Sequence, residues 1–364
     1  MLVNREEYQT IWLKEEGKVQ VIDQRRLPFE FVIQDLLSLE DAYHAIRDMV
    51  VRGAPLIGVT ASYGIYLALA REQKEEGWHE RLKASAEKLK EARPTAVNLM
   101  FAVDRQMEQL TGIGSLEQAR HQARKNADEL KEQETENCRL IGEKGAPLIE
   151  QLAEDKGGEP VNILTHCNAG WLATIDYGTA TAPIYQAHEQ GIPLHVWVDE
   201  TRPRNQGARL TAWELEQQGI PCTVIADNTG GLLMQKGMVD MVIVGSDRTT
   251  IRGDVANKIG TYLKALAARD NNVPFHVALT LSTIDRSISD GIRDIPIEQR
   301  KGEEVKYIEG YAEDGLRKVL LTPQNSRVAN YGFDVTPAAY VTSLITEKGI
   351  CKPNQQAIEK LIKS

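Results

Sequence analysis

Cysteine is scarce: four residues in 364, Cys138, Cys167, Cys222 and Cys351, far apart and without a CxxC pair. That spacing excludes a disulfide framework and a cysteine–histidine zinc site, and it predicts a reducing, cytoplasmic setting. Long apolar runs are also missing. The most apolar stretch, Leu56 to Ala70, has 15 residues and is broken by Thr60, Ser62, Tyr63 and Tyr66. A membrane span needs roughly 20 apolar residues, so none is expected. The opening MLVNREEYQT has two acids and no apolar core, unlike a secretory signal. A basic excess is absent too, since the formal charge is −9 and the pI about 5.5. Nucleic-acid polymers, which demand a basic field, are excluded as partners, whereas small anions met by local cations are not. No GxGxxG follows any apolar run, and GxSxG, HExxH and paired-histidine metal sets do not occur. A nicotinamide cofactor, a serine-hydrolase elbow and a bound metal all lack their residues, so no cofactor is expected.

The composition that remains is that of a globular protein, with 42% hydrophobic and 26% charged residues and a length suited to two domains. Two apolar runs, Val19–Ile22 and Glu30–Ile33, flank Gln24–Pro28 and predict a small antiparallel hairpin or meander. From Ser38 the apolar spacing turns helical, through Ala61–Gln73, His79–Lys90, Ala96–Glu108 and Leu116–Leu140, with Pro94 starting one helix. Glu143–Pro147 reads as a linker, dividing the chain into a mostly helical domain over 1–145 and a second domain over 146–364. Beyond it, short β-branched runs at Val161–Leu164, Leu194–Val198, Cys222–Ile225, Met241–Val244 and Phe275–Ala278 alternate with helical windows. The fold class is α/β, the second domain being a doubly wound, mostly parallel sheet of Rossmann-like character.

Such sheets bind ligands beyond the carboxyl ends of their strands. Polar loops fall there: Thr165-His-Cys-Asn-Ala-Gly170, Asp199–Gln206, Asp227–Gly231, Gly245-Ser-Asp-Arg248 and Thr280–Asp285. Cys167 is either a small core residue or a reactive thiol at a turn into a helix, whose N-terminus would favour thiolate. Asp247 is either a turn former or a carboxyl held protonated at the mouth of a dry sheet. Gly253–Gly260 reads as a turn entering a helix, placing Asn257 and Lys258 where an anion binds. Arg52-Gly-Ala-Pro55 offers a guanidinium and backbone amides ahead of a helix, a phosphate cradle without the lysine of a nucleotide loop.

Six motifs, in one order along the chain, resemble the methylthioribose-1-phosphate isomerase family. They are Arg52-Gly-Ala-Pro, Arg93-Pro-Thr-Ala-Val-Asn-Leu99, Thr165–Gly170, Glu200–Trp213, Gly245-Ser-Asp-Arg and Gly253–Tyr262. The family shares its fold with regulatory subunits of the eukaryotic initiation-factor nucleotide exchange factor. The resemblance implies a homodimer that interconverts 5-methylthioribose 1-phosphate and 5-methylthioribulose 1-phosphate in methionine salvage. By motif it places the catalytic pair on Cys167 and Asp247, and substrate binding on Arg52, Gly53, Ala54, Arg93, Gln206, Asn257 and Lys258. The chain departs from the family's pattern at Asp227–Gly231, Gly245–Thr249, Leu279–Thr283 and Asn330–Asp334, along the same rim. The alternatives are therefore 5-deoxyribose 1-phosphate or another ribose 1-phosphate as substrate, and a non-catalytic regulatory subunit as function.

The chemistry suits these residue types. An aldose 1-phosphate cannot open to an aldehyde because its anomeric oxygen is esterified. A base must remove the C2 proton while an acid protonates the departing ring oxygen. Cys167 as thiolate and Asp247 as neutral acid fit those roles, in either assignment, and a hydride shift is the formal competitor.

Overall fold

In the computed structural model, residues 1–93 and 96–363 are described, and Pro94, expected to open a helix, lies outside them. After a short antiparallel pairing of Leu2–Val3 with Glu6–Glu7 comes a three-stranded antiparallel meander, β1 (Ile11–Glu15), β2 (Lys18–Ile22) and β3 (Ile33–Leu36), in which Val19 pairs with Leu13 and Leu36. Expected were only the last two strands, the second of them about three residues earlier. Five helices follow: α1 (Leu39–Arg47), α2 (Ala54–Arg71), α3 (Trp78–Lys90), α4 (Val97–Gln109) and α5 (Leu116–Asp155). Ser38 caps α1 by accepting the Asp41 N–H. Fourteen of the 18 residues of α2 are buried, so the apolar run Leu56–Ala70 is the central helix of this half, ringed by the others. Among the described residues no helix is long and apolar enough to cross a membrane.

The expected linker at Glu143–Pro147 is instead the interior of α5, 40 residues long. Its glycines serve packing rather than flexibility. A methyl group on Gly145 would lie 2.4 Å from Pro183 Cγ, and one on Gly142 would lie 3.0 Å from the Ala182 carbonyl. The residue-145 boundary therefore falls inside a helix whose early residues, through Leu130, belong to one core and whose later ones, from Ile141, belong to the next.

The second half carries a seven-stranded sheet. In chain order its strands are β4 (Val161–Thr165), β5 (Leu194–Asp199), β6 (Cys222–Ile225), β7 (Met241–Val244), β8 (Phe275–Ala278), β9 (Ser343–Thr346) and β10 (Gly349–Cys351). They lie in the order β10-β9-β8-β7-β4-β5-β6, all parallel except β10. The first five parallel strands are those expected; β9 and β10 were not. From β4 the chain winds to one edge through β5 and β6, then returns to β7 and winds outward the other way. The crevice between β4 and β7 is thus the topological switch point, where ligands of such sheets sit.

Gly253–Gly260 is not a helix entry. Val255–Lys258 is a strand in a separate four-stranded sheet, with Ala256 opposite Arg248 and Asn257 opposite Asp334. The helix begins only at Thr261.

Candidate active site

The two residues singled out at strand ends stand on either side of that switch point. Cys167 lies two residues beyond β4 and Asp247 three beyond β7. Both line one open-mouthed cleft of about 470 Å³, together with Arg52, Gly53, Ala54 and Asn257.

Cys167 has φ 66°, a left-handed conformation that costs an ordinary residue roughly 1–2 kcal/mol. Its neighbours enforce it. Thr201 Oγ1 accepts the Cys167 N–H at 2.8 Å, and Thr211 Oγ1 donates to the Cys167 carbonyl at 2.6 Å. No α-helix follows at once, contrary to expectation: a single 3-10 turn at Trp171–Ala173 precedes the helix at Ala182–Glu189. Strain maintained by specific bonds at a cleft wall favours the reactive reading of this thiol over the packing one. Cys138, by contrast, is fully buried on α5 with its thiol pushed well upward by burial, and Cys222 lies within β6, so both serve packing.

Asp247 touches the cleft but is otherwise enclosed by protein. Burial raises its carboxyl above the usual range; the cations Lys258, Arg93 and Arg52 pull it back, and Glu298 pushes it up again. Its backbone N–H is fixed to the Ala256 carbonyl at 3.0 Å. The result is a carboxyl inclined to hold a proton beside three cations.

Those cations come from three elements. Arg52 stands at the head of α2, with its guanidinium on the Asn168 side chain and, at 2.6 Å, the Asn168 carbonyl. Gly53 caps α2 with φ 92°, and a Cβ there would fall 2.1 Å from the Ala173 carbonyl oxygen. Only glycine lets the amide end of α2 press against the cleft, where an anion gains from unpaired N–H groups and the helix dipole. Lys258 is buried, which lowers its pKa, while Cys167 and Asp247 raise it; its ammonium lies 5.3 Å from the Phe333 ring centroid. Arg93 lines an adjoining chamber that shares Ala54 and Asp247 with the cleft, and pairs with Glu298 at 3.5 Å. Of the nine residues named from the sequence, six line the cleft, and Arg93 and Lys258 border it. Gln206 does not: it faces a separate groove on the far side of Arg52, beside Arg204 and Arg209.

Several residues of the site were not foreseen. Asn168 holds Arg52, Thr201 and Thr211 hold Cys167, and Glu214, fully buried, takes hydrogen bonds from Asn168 and Leu172. An acid flanked directly by Trp213 and Leu215 is the one signal that sequence offered for Glu214. His166, Asp199 and Asp227 also cluster with ligand atoms within 4.8 Å. The cation position there is already filled, because the Lys264 ammonium lies 3.1 Å from Asp199 Oδ2 and reaches the Asp227 carbonyl. Both nitrogens of His166 are occupied as well, by Asp199 at 2.8 Å and the Ile259 carbonyl at 2.9 Å.

Residues 50–353 match the Initiation factor 2 subunit family. A methylthioribose-1-phosphate isomerase of Brucella anthropi is 55% identical over 364 residues, 99% of each chain. The chain belongs to the methylthioribose-1-phosphate isomerase family. It is therefore an isomerase built on the fold expected from its motifs. Among solved structures, 5-methylthioribose 1-phosphate isomerase from Pyrococcus horikoshii superposes with TM-score 0.85 at 36% identity, covering 98% of this chain and 96% of that one. A structure described as translation initiation factor eIF-2B, subunit delta, from A. fulgidus gives TM-score 0.82 at 38% identity, covering 98% of this chain and 100% of that one. The fold thus spans proteins named for both activities, and near-identical length at 55% identity sets this chain with the isomerases.

Proposed function

We propose that the chain converts 5-methylthioribose 1-phosphate to 5-methylthioribulose 1-phosphate by proton transfer at Cys167 and Asp247. The observation that carries this reading is their joint presence on one cleft at the switch point, between the cations Arg52, Arg93 and Lys258. Arg52, the amide end of α2 and Lys258 hold the phosphate, with Asn257 beside them. The Cys167 thiolate takes the C2 proton as the bond from C1 to the ring oxygen breaks, and the Asp247 carboxyl protonates that oxygen. An enol phosphate results. The thiol then delivers its proton to C1, and the Asp247 carboxylate recovers one from the C2 hydroxyl as the ketone forms. Both groups return to their starting states, and no electron leaves the substrate.

The raised carboxyl of Asp247 supports its role as the acid, since an aspartic acid at its ordinary pKa would already be ionised near neutrality. The reaction belongs to methionine salvage, and we place the enzyme in the cytoplasm as a homodimer, in keeping with scarce cysteine and the family's implied assembly. The test is ketose formation by purified protein on methylthioribose, 5-deoxyribose and ribose 1-phosphates side by side. Methylthioribose 1-phosphate should have the highest kcat/KM. Absence of ketose from all three would leave the chain a regulatory protein on this fold, and preference for deoxyribose would reassign its substrate.

A further inference from the structure

The mechanism makes no use of Glu214, a carboxyl with no solvent exposure on the helix Ala212–Gln217. Three donors converge on it: the Asn168 side-chain amide at 3.0 Å, the Leu172 N–H at 2.8 Å and the Tyr185 hydroxyl at 3.0 Å. The loop after β4 is shaped around it, since a methyl group on Gly170 would stand 1.6 Å from Glu214 Oε2. Asn168 is the intermediary. Its Nδ2 faces Glu214 and, at 3.2 Å, Thr211 Oγ1, so its Oδ1 must point the opposite way, onto Arg52. The Asn168 carbonyl takes the second terminal nitrogen of the same guanidinium.

A carboxylate placed directly on Arg52 would fix it equally well, but would compete with a phosphate for its charge. An amide interposed between the two orients the guanidinium and leaves that charge uncompensated at close range. We infer that Glu214 is a positioning residue for the phosphate-binding arginine, acting through the side-chain amide of Asn168. The inference rests on Arg52 being a phosphate ligand, as proposed above. Burial pushes the Glu214 carboxyl up to about 7, against the bonds from Asn168, Leu172 and Tyr185 and the Arg52 charge. The charged and titratable groups acting on it are Arg52 from the head of α2 and Tyr185 from the helix Ala182–Glu189. Protonation would set a donor against three donors and release Asn168, so substrate binding weakens as pH falls through about 7.

The experiment compares wild type, Glu214→Gln and Tyr185→Phe. Glutamine brings an NH₂ group into a ring of donors, so Glu214→Gln should raise KM about ten- to a hundredfold and change kcat much less. Tyr185→Phe removes a donor that holds the same carboxyl down but leaves Asn168 in place, so its KM rise should begin at higher pH, while at pH 9, where the carboxylate is ionised, KM should stay within about twofold of wild type. The rise of KM below neutral pH should vanish in Glu214→Gln. A second readout needs no turnover: in ¹⁵N spectra the two terminal nitrogens of Arg52 should be distinct in wild type and averaged in Glu214→Gln. Wild-type KM with unaltered Arg52 signals in Glu214→Gln, or an equal KM rise in the two variants at pH 9, would overturn the inference. If no sugar 1-phosphate is turned over, the proposed function fails while the Arg52 spectra still decide the role of Glu214. Should Glu214→Gln not fold, Asn168→Ala must raise KM similarly, and an unchanged KM there counts against the relay.

Discussion

Cys167 and Asp247 differ in how the protein prepares them. The cysteine is prepared by geometry, being held at φ 66° by two threonines; the aspartate is prepared by burial, which favours its protonated form. Each preparation has a distinct consequence on mutation. Cys167→Ser keeps the backbone bonds but replaces the thiol with a much weaker acid, and Asp247→Asn keeps the shape without a transferable carboxyl proton. Each should lower kcat by about 10²–10⁴-fold while circular dichroism and substrate binding stay near wild type. Substantial turnover by Cys167→Ser, with contaminating wild type excluded, would return the thiol to a packing role. Lys258 serves the ground state as well as the transition state. Lys258→Ala should therefore weaken substrate binding by about 1.5–3 kcal/mol, read as KM or by calorimetry. A Kd unchanged from wild type would remove Lys258 from the phosphate site.

At the scale of elements, the same glycine can signal a turn or a contact, and α5 shows the difference. Gly145 and Pro147 read locally as a break, yet the helix runs through them because Ala182 and Pro183, at the start of the helix Ala182–Glu189, press against its glycine face. Gly145→Leu should cost about 1–3 kcal/mol by overpacking, seen as a lowered Tm, whereas Lys144→Leu at the exposed neighbour should be nearly neutral. Equal effects at the two positions would mean that α5 does not rely on this contact. Five of the six parallel strands were legible because each is a short apolar run with β-branched residues, buried on both faces in the sheet interior as at Met241–Val244, although the edge strand Cys222–Ile225 is half-exposed. Val255–Lys258 was not, because its pairing with Phe333–Thr336 joins residues about 80 apart, and nothing local in Val-Ala-Asn-Lys demands a strand. The site followed the same division. Cys167, Asp247 and Arg52 stand in recognisable motifs, while Thr201, Thr211 and Glu214 act only through partners that the fold brings to them. Gln206 was carried by its motif to a groove behind Arg52, a displacement that sequence spacing cannot register.

Across the whole molecule, acidic groups dominate the surface charge, yet the cleft concentrates Arg52, Arg93 and Lys258, so an anionic substrate finds its attraction localised there. Acids are also buried outside the lining of that cleft. Glu134 on α5 is enclosed, with its Oε2 unpartnered and Ser282 3.4 Å from Oε1, and Glu347 repels it across the β9–β10 turn. Burial first, then Glu347, pushes its carboxyl up to about 7, against Ser282, Asn137 and the Arg105 charge. A carboxyl whose folded pKa is raised favours the folded state most below its unfolded value of 4.5, and that benefit is lost as pH climbs through about 7. Wild type should therefore carry a larger penalty at pH 8 than at pH 5. Glu134→Gln cannot ionise and escapes it. The stability difference, Glu134→Gln minus wild type, should grow by up to about 3 kcal/mol between those pH values, measured as the shift in urea midpoint multiplied by the common m. Comparing the two proteins at each pH cancels the other titrating groups, including His276, whose buried imidazole is lowered to about 4. A difference that stays flat from pH 5 to pH 8 would show that Glu134 remains in one protonation state, and that the α5 core tolerates a carboxylate beside Glu347.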